Sequence, residues 1–393
     1  MENVHLRFPH LAKQICQELC NLDLIKCKKL SKSWKKFIED EKFYWIRIIV
    51  GTNCYNLDNL EHLLKNSNGE VVQKIGVAAC ETIRKQDWYR NVFYYALVSG
   101  QTDFLKNLLI NSNLLNFWAQ WNISLSPLET FLLYHAAERG DLVIFQLINQ
   151  NSIEKNPKIF VNSPLENTPL HIAAENGHLE IVELIIAHLT QKNPRNKKLR
   201  TPLDLAAENG HFDIFQLIMK NVQRKNPKNR CMETPLHYAA KNGHFDICKL
   251  IIEKVKDKSP KDISGKTPLH YAAKNGHFDI CKLITEKVKD KSPKDLPGNT
   301  PLHYAATNAH FNICELLITK VKDKNPKGTL GMTPLHHAAK YGCFAICKLI
   351  SESVQDNNPQ DDLGYTPFQL AEKNGRYEIC QLLQRDQKRR KIA

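Results

Sequence analysis

Nowhere in the 393 residues does an apolar run approach the roughly 18 uninterrupted residues that a membrane-spanning helix needs. The first residues, Met1-Glu2-Asn3-Val4-His5-Leu6-Arg7, hold no apolar core of signal-peptide length. The twelve cysteines are too dilute to staple a disulfide-built mini-domain, and none falls in a Cys-x-x-Cys pair. A soluble chain of a reducing compartment, cytoplasm or nucleus, is the expectation, with no membrane partner. Also missing are a phosphate-cradling Gly-Lys-Ser/Thr loop, a Gly-x-Ser-x-Gly elbow and the kinase signatures. An enzyme is therefore not expected, nor a cofactor. Neither sign of charge is scarce: 55 Lys and Arg face 41 Asp and Glu, a net charge of +14. That bias admits nucleic acid, an anionic membrane or an acidic protein as partner and by itself selects none of them. With 42% apolar and 24% charged residues, wholesale disorder is excluded.

What the chain does have is self-similarity. Thr-Pro-Leu-His, or a near variant, begins at Thr168, Thr201, Thr234, Thr267, Thr300, Thr333 and Thr366, each 33 residues after the last. Cys248, Cys281, Cys314, Cys347 and Cys380 keep the same step, as do Pro194, Pro227, Pro260, Pro293, Pro326 and Pro359. Within one unit Thr267 reads as a helix cap, with Pro268 at the first helical position, where no amide donor is needed. Ala272 and Ala273 let a neighbouring helix come close. Gly276 suits the left-handed residue that ends a helix. Phe278, Ile280, Cys281, Leu283 and Ile284 then form a helical apolar stripe, broken by a Lys-rich stretch around Pro293. One such helix pair cannot bury its apolar face, and stacked copies can.

This unit resembles the ankyrin repeat in its length and in its Thr-Pro-Leu-His, Ala-Ala and Gly-His signatures. The resemblance implies an all-α fold, an ankyrin solenoid with short hairpin-like fingers, preceded by a short helical module. Seven regular units are expected over 167–384, two degenerate ones over 88–166 (around Tyr95-Ala96 and Tyr134-His135-Ala136-Ala137), and a basic tail over 385–393. Gly265, Gly298, Gly331 and Gly364 stand in the finger turn two residues before Thr. Glu166, Leu199 and Met232 replace them, so the first three fingers are expected to be irregular. Ala309 replaces a helix-ending Gly, at a cost of about 1 kcal/mol if that residue is left-handed.

The first fifty residues contain no Thr-Pro-Leu-His, and all five Trp lie at or before Trp121. Ile15, Leu19 and Leu22 lie at helical steps, and Leu24, Cys27, Leu30, Ser31 and Trp34 repeat that stripe. Two or three short helices follow, with more apolar surface than so small a unit can bury, which suggests a partner. The pattern resembles the F-box: Phe8-Pro9 near the start, Asp23-Leu24, Leu30-Ser31, Trp34, then Trp45. The resemblance covers about residues 5–50 and implies docking on the Skp-type adaptor of a cullin-RING ubiquitin ligase. Phe8, Pro9, Ile15, Leu19, Leu24, Leu30 and Trp34 would make or shape that contact. The plain alternative is that these are core residues of a helical cap. Residues 51–87 read as a helical linker.

His and Cys four apart, as in His244 and Cys248 or His277 and Cys281, invite a zinc reading. Adjacent helices stack roughly 8–10 Å apart, too far for ligands of successive repeats to meet at about 2.0–2.3 Å, so no metal site is expected. His171, His237, His270, His303 and His336 recur at one structural position, which reads as scaffold beside the Thr cap. Lysines around 254–261, 287–294 and 320–327 form a basic ridge. It reads as a solvated edge or as an attraction for an acidic protein, and the lack of interleaved aromatics weighs against nucleic acid.

Target recognition is expected at the finger tips and the exposed side of each first helix, where the copies differ while the stripe stays constant. The candidate residues are Arg230, Cys231 and Glu233, then Ile263, Ser264 and Lys266. Leu296 and Asn299 follow, then Leu330, Met332, Tyr341 and Tyr365. Together these readings predict a non-catalytic substrate receptor of a ubiquitin ligase. The alternative is an ankyrin scaffold with no ligase role.

Overall fold

The computed structural model describes residues 126–151 and 165–392, and side chains up to Asp386. The segment read as an F-box, the linker and the first degenerate repeat lie outside the described residues. Among the described residues there are sixteen α-helices and no strand. The chain divides between Pro169 and Leu170 into two compact units.

In the first unit α1 (Ser126–Arg139) packs on α2 (Leu142–Asn151). Gly140, at φ 76°, makes the tight turn, and the Asp141 amide donates to the Ala136 carbonyl at 2.9 Å. Ala136 and Ala137 are fully buried, as are Leu133 and Phe145.

The second unit is built of seven helix pairs: α3 (Pro169–Asn176) with α4 (Leu179–His188), α5 (Pro202–Asn209) with α6 (Phe212–Asn221), and α7 (Pro235–Asn242) with α8 (Phe245–Lys254). Then come α9 (Pro268–Asn275) with α10 (Phe278–Lys287), α11 (Pro301–Thr307) with α12 (Phe311–Lys320), α13 (Pro334–Tyr341) with α14 (Phe344–Ser353), and α15 (Pro367–Lys373) with α16 (Tyr377–Ile392). From α5 onward each first helix packs on the next first helix. From α4 onward each second helix packs on the next second helix. Two layers result, and the Ala-Ala dipeptides between them are fully buried. Ile280, Cys281 and Ile284 show how a second helix contributes: each is at most 1% exposed. Burying one such aliphatic side chain is worth about 1.5–3 kcal/mol.

From α5 onward each first helix is started by a reciprocal box. The Thr267 amide and hydroxyl both donate to His270 Nδ1 at 3.0 Å. The other ring nitrogen, Nε2, donates to the Asn299 carbonyl of the next repeat at 3.1 Å. The same bridge joins His171 to Arg200, His237 to Lys266, His303 to Met332 and His336 to Tyr365. These histidines are scaffold, tying each repeat to its successor.

The helix-ending Gly177, Gly210, Gly243 and Gly276 are required twice over. Gly276 has φ 83°, and a Cβ built there would lie 2.7 Å from the His310 ring of the next repeat. That ring donates from Nε2 to the Lys274 carbonyl at 3.0 Å. Ala309 occupies the same position with φ 60°, so the left-handed cost is real. Its partner in register, however, is Cys343, where the earlier repeats place His211, His244, His277 and His310. A thiol is smaller than an imidazole and leaves room for the extra methyl.

The expected irregularity of the early fingers is not found where they belong to the second unit. Leu199 (φ 57°) and Met232 (φ 59°) adopt the left-handed turn that Gly265 (φ 76°) and Gly298 (φ 92°) adopt. Glu166, in the first unit, has φ 53°. An Asx side chain holds the turn whatever residue follows. Asn229 Oδ1 accepts from the Cys231 and Glu233 amides at 2.9 and 3.0 Å, and Asp262 Oδ1 accepts from the Ser264 and Lys266 amides at 2.8 Å. The irregular finger is the one with two glycines. Gly328 stands where the other fingers of the second unit have Asn or Asp, the loop tightens into a 3₁₀ turn over Thr329–Gly331, and Leu330 takes φ 55°.

Candidate protein-interaction surface

The fingers are joined edge to edge by their backbones. The Arg230 amide donates to the Lys198 carbonyl at 3.1 Å, Ile263 to Cys231 at 2.8 Å, Leu296 to Ser264 at 2.9 Å, and Asp362 to Leu330 at 2.9 Å. At the irregular finger Asn299 makes the link with its side chain: Oδ1 accepts from the Thr329 amide at 3.0 Å, and Nδ2 donates to Thr329 Oγ1 at 2.8 Å. Successive tips are therefore held in fixed order.

The carboxylates of Glu233, Asp262 and Asp295 are spent internally. Tyr271 donates its hydroxyl to Asp262 Oδ2 at 2.7 Å, and Tyr304 donates to Asp295 Oδ2 at 2.7 Å. Tyr238 donates to Glu233 Oε2 at 2.8 Å and accepts from Asn229 Nδ2 at 2.7 Å. Burial and the adjoining carboxylates push the Tyr271 and Tyr304 hydroxyls well above the ordinary phenol range. In the irregular repeat both partners change together, to Gly328 and His337. Both His337 ring nitrogens are buried without a partner, the ring stands edge-on to His303 at 5.8 Å, and burial brings its pKa down to about 4.

Against this frame the predicted target residues separate. Arg230, Cys231, Ile263, Leu296 and Leu330 are exposed at the tips, and Ser264 is half-buried among them. Glu233 and Asn299 are half-buried and held by the bonds above. Lys266 and Met332 are half-buried too, and give their carbonyls to His237 and His303. The Lys266 ammonium lies 5.4 Å from the centre of the Tyr304 ring. Tyr365 is exposed, with Lys373 Nζ at 5.1 Å from its ring centre. Tyr341 is exposed at the last residue of α13, a helix length of about 12 Å from the finger. The structure thus collects the tip residues into one row and leaves Tyr341 apart. Sequence reasoning missed the tyrosine–carboxylate pairs. Their signal was available: Asp262 and Asp295, like Tyr271 and Tyr304, keep the step of 33.

The ridge lysines Lys256, Lys289 and Lys322 are exposed, and Asp257, Asp290 and Asp323 between them accept from the Ser259, Ser292 and Asn325 amides at 3.0–3.1 Å. The His and Cys weighed for zinc have separate roles. His244 and His277 donate from Nε2 to the Glu208 and Lys241 carbonyls at 3.0 Å. Cys248 and Cys281 are buried among aliphatic side chains, with burial raising both thiols, Cys281 to about 12. Among the described residues no group of His, Cys, Asp and Glu is arranged to hold a metal, and no helix is long and apolar enough to cross a membrane.

The family model for ankyrin repeats, in its three-copy form, matches residues 133–229, 220–295, 256–327, 286–361 and 302–391. The chain belongs to the ankyrin-repeat family. Its role is accordingly one of protein interaction, on a fold typical of non-enzymatic binding proteins. No F-box model is detected in the N-terminal segment, and no curated protein matches the ankyrin chain significantly.

Proposed function

We propose that the chain is a substrate-recognition subunit of a cullin-RING ubiquitin ligase, acting in the cytoplasm or nucleus. Residues 5–50 would engage the Skp-type adaptor, and the ankyrin array would hold a protein target. The observation that carries this reading is the F-box register of Asp23-Leu24, Leu30-Ser31, Trp34 and Trp45 ahead of an interaction array. The mechanism is proximity: tethering raises the effective concentration of target lysines near a ubiquitin-loaded enzyme. In this reading the chain is a receptor, and the catalytic groups belong to the other subunits of the ligase. Co-purification of the Skp-type adaptor with the full chain tests the proposal. Adaptor capture is expected with the wild type and is expected to fall at least tenfold in Trp34→Ala and Leu24→Asp. Equal capture by all three would refute the docking map, and no capture by any would leave a plain ankyrin scaffold.

A further inference from the structure

The finger tips carry a pattern that goes beyond a general capacity to bind protein. Four successive fingers each present one large aliphatic side chain to solvent: Ile263 at 63% exposure, Leu296 at 77%, Leu330 at 58% and Leu363 at 70%. Such side chains gain by burial, and a row of them is an interaction surface. The finger-to-finger hydrogen bonds described above set each tip against the next, with Ile263 and Leu296 at the first tip position and Leu330 and Leu363 at the second. Stacked helices lie roughly 8–10 Å apart, and the tips inherit that spacing.

On the first three of these fingers the exposed charge has one sign, while at the fourth the exposed Asp362 lies beside Leu363. Lys261, Lys294 and Lys327 are exposed, one on each of three successive fingers, and Lys261 and Lys327 donate from Nζ to the Lys294 and Gln360 carbonyls of the following finger at 3.4 and 2.9 Å. The nearest finger carboxylates, Asp262 and Asp295, are buried and hydrogen-bonded to tyrosine hydroxyls and backbone amides. From Ile263 to Leu330 the outward surface is therefore aliphatic and cationic.

An extended segment in the polyproline II conformation advances about 3.1 Å per residue with three residues per turn. Every third side chain then falls on one face, about 9 Å from the last, which matches the tip spacing. A β-strand, whose side chains alternate with period two, cannot keep every third residue on one face. We propose that the tips of Ile263, Leu296 and Leu330 bind an extended acidic segment of a partner protein, with a large aliphatic residue at every third position and carboxylates between. This rests on the reading that the array holds a protein target, and it specifies the chemistry of that target.

The test uses the full chain and a fluorescein-labelled synthetic peptide of four Leu-Glu-Pro triplets. Its control is a peptide of identical composition with the leucines adjacent to one another. Fluorescence anisotropy at 150 mM salt is expected to show at least tenfold tighter binding of the triplet peptide. The variant Leu296→Ser/Leu330→Ser is expected to lose that preference, with its circular dichroism and melting temperature unchanged. Lys261→Gln/Lys294→Gln is expected to weaken both peptides alike by threefold or more. Equal affinity for the two peptides, or an unaltered preference in Leu296→Ser/Leu330→Ser, would overturn the proposal. So would sedimentation showing a dimer that the serine variant dissociates, because a second copy would then be the occupant. The peptide assay makes no use of the adaptor. Its failure alongside intact adaptor capture would remove the docking reading only, and the converse would remove only the ligase reading.

Discussion

Asp204 stands where five other repeats place the bridging histidine, and it is fully buried. Its Oδ2 accepts from the Thr201 amide and hydroxyl at 2.7 and 2.8 Å, so the capping box closes. Its Oδ1 has no partner, although a histidine there would donate to the next repeat. Burial is the main influence and raises the carboxyl from 3.8 to about 7, against the pull of the Thr201 hydrogen bonds and of Arg200 and Arg195. Since the folded state holds this proton more tightly than the unfolded chain, stability falls as pH rises from about 4 to about 7 and stays lower above. Asp204→Asn keeps an acceptor for the box, adds a donor and cannot ionise. Urea unfolding should find it more stable than wild type at pH 8, by up to about 4 kcal/mol at one pKa unit per 1.36 kcal/mol. The gain should shrink toward zero near pH 4.

At the scale of the helix pair, the fit between neighbours decides which substitutions are tolerated. Cys343→His should drive an imidazole into the Ala309 methyl and destabilise α13 and α14, by about 1–3 kcal/mol, the usual range for overpacking. The double variant Ala309→Gly/Cys343→His rebuilds the arrangement of the earlier repeats and should recover that loss or better it. A double-mutant cycle by chemical denaturation measures the coupling, and additive effects would show that the two positions do not meet. Much at this scale was legible in the sequence. Thr, Pro, Gly and the apolar stripe each have a local mechanical reason, and a constant step of 33 repeats it. Less legible was the finger. Leu199 and Met232 look like breaks when judged by glycine alone, because what holds the turn is the Asx side chain three residues earlier. Gly328 looks harmless until its missing carboxylate, the orphaned His337 and the reach of Asn299 are set side by side. Exposure of Ile263 against burial of Asp262 depends on how fingers abut, which no single repeat encodes.

Over the second unit as a whole the histidine bridges add up. Burial is the largest influence on each: it lowers His270 to about 4 and His303 to about 3, and also lowers His237 and His336. The unfolded chain takes up these protons near pH 6.5 and the folded chain does not. Stability should therefore drop as pH falls from about 6.5 toward 4, four histidines outweighing the opposite trend of Asp204. Thermal melts at pH 7.5 and pH 5 should show the lower midpoint in acid. Gln369 indicates how to remove the effect: its Oε1 accepts from the Thr366 amide at 2.9 Å and closes the same box without a titrating group. His270→Gln/His303→Gln should flatten the pH dependence, and an unchanged slope would place the acid sensitivity elsewhere.

The matched pairs Ala309 with Cys343 and Asn299 with Thr329 straddle one junction, that between α11–α12 and α13–α14. Near-identical copies in a gene invite unequal crossing-over, which inserts or deletes whole units. Most joints in this stack would survive such an exchange, because neighbouring copies present interchangeable surfaces. That one would not: a shuffled descendant would meet an imidazole over a methyl and a loop whose borrowed amide had gone. Lineages should therefore inherit these two units as an indivisible block while their neighbours come and go.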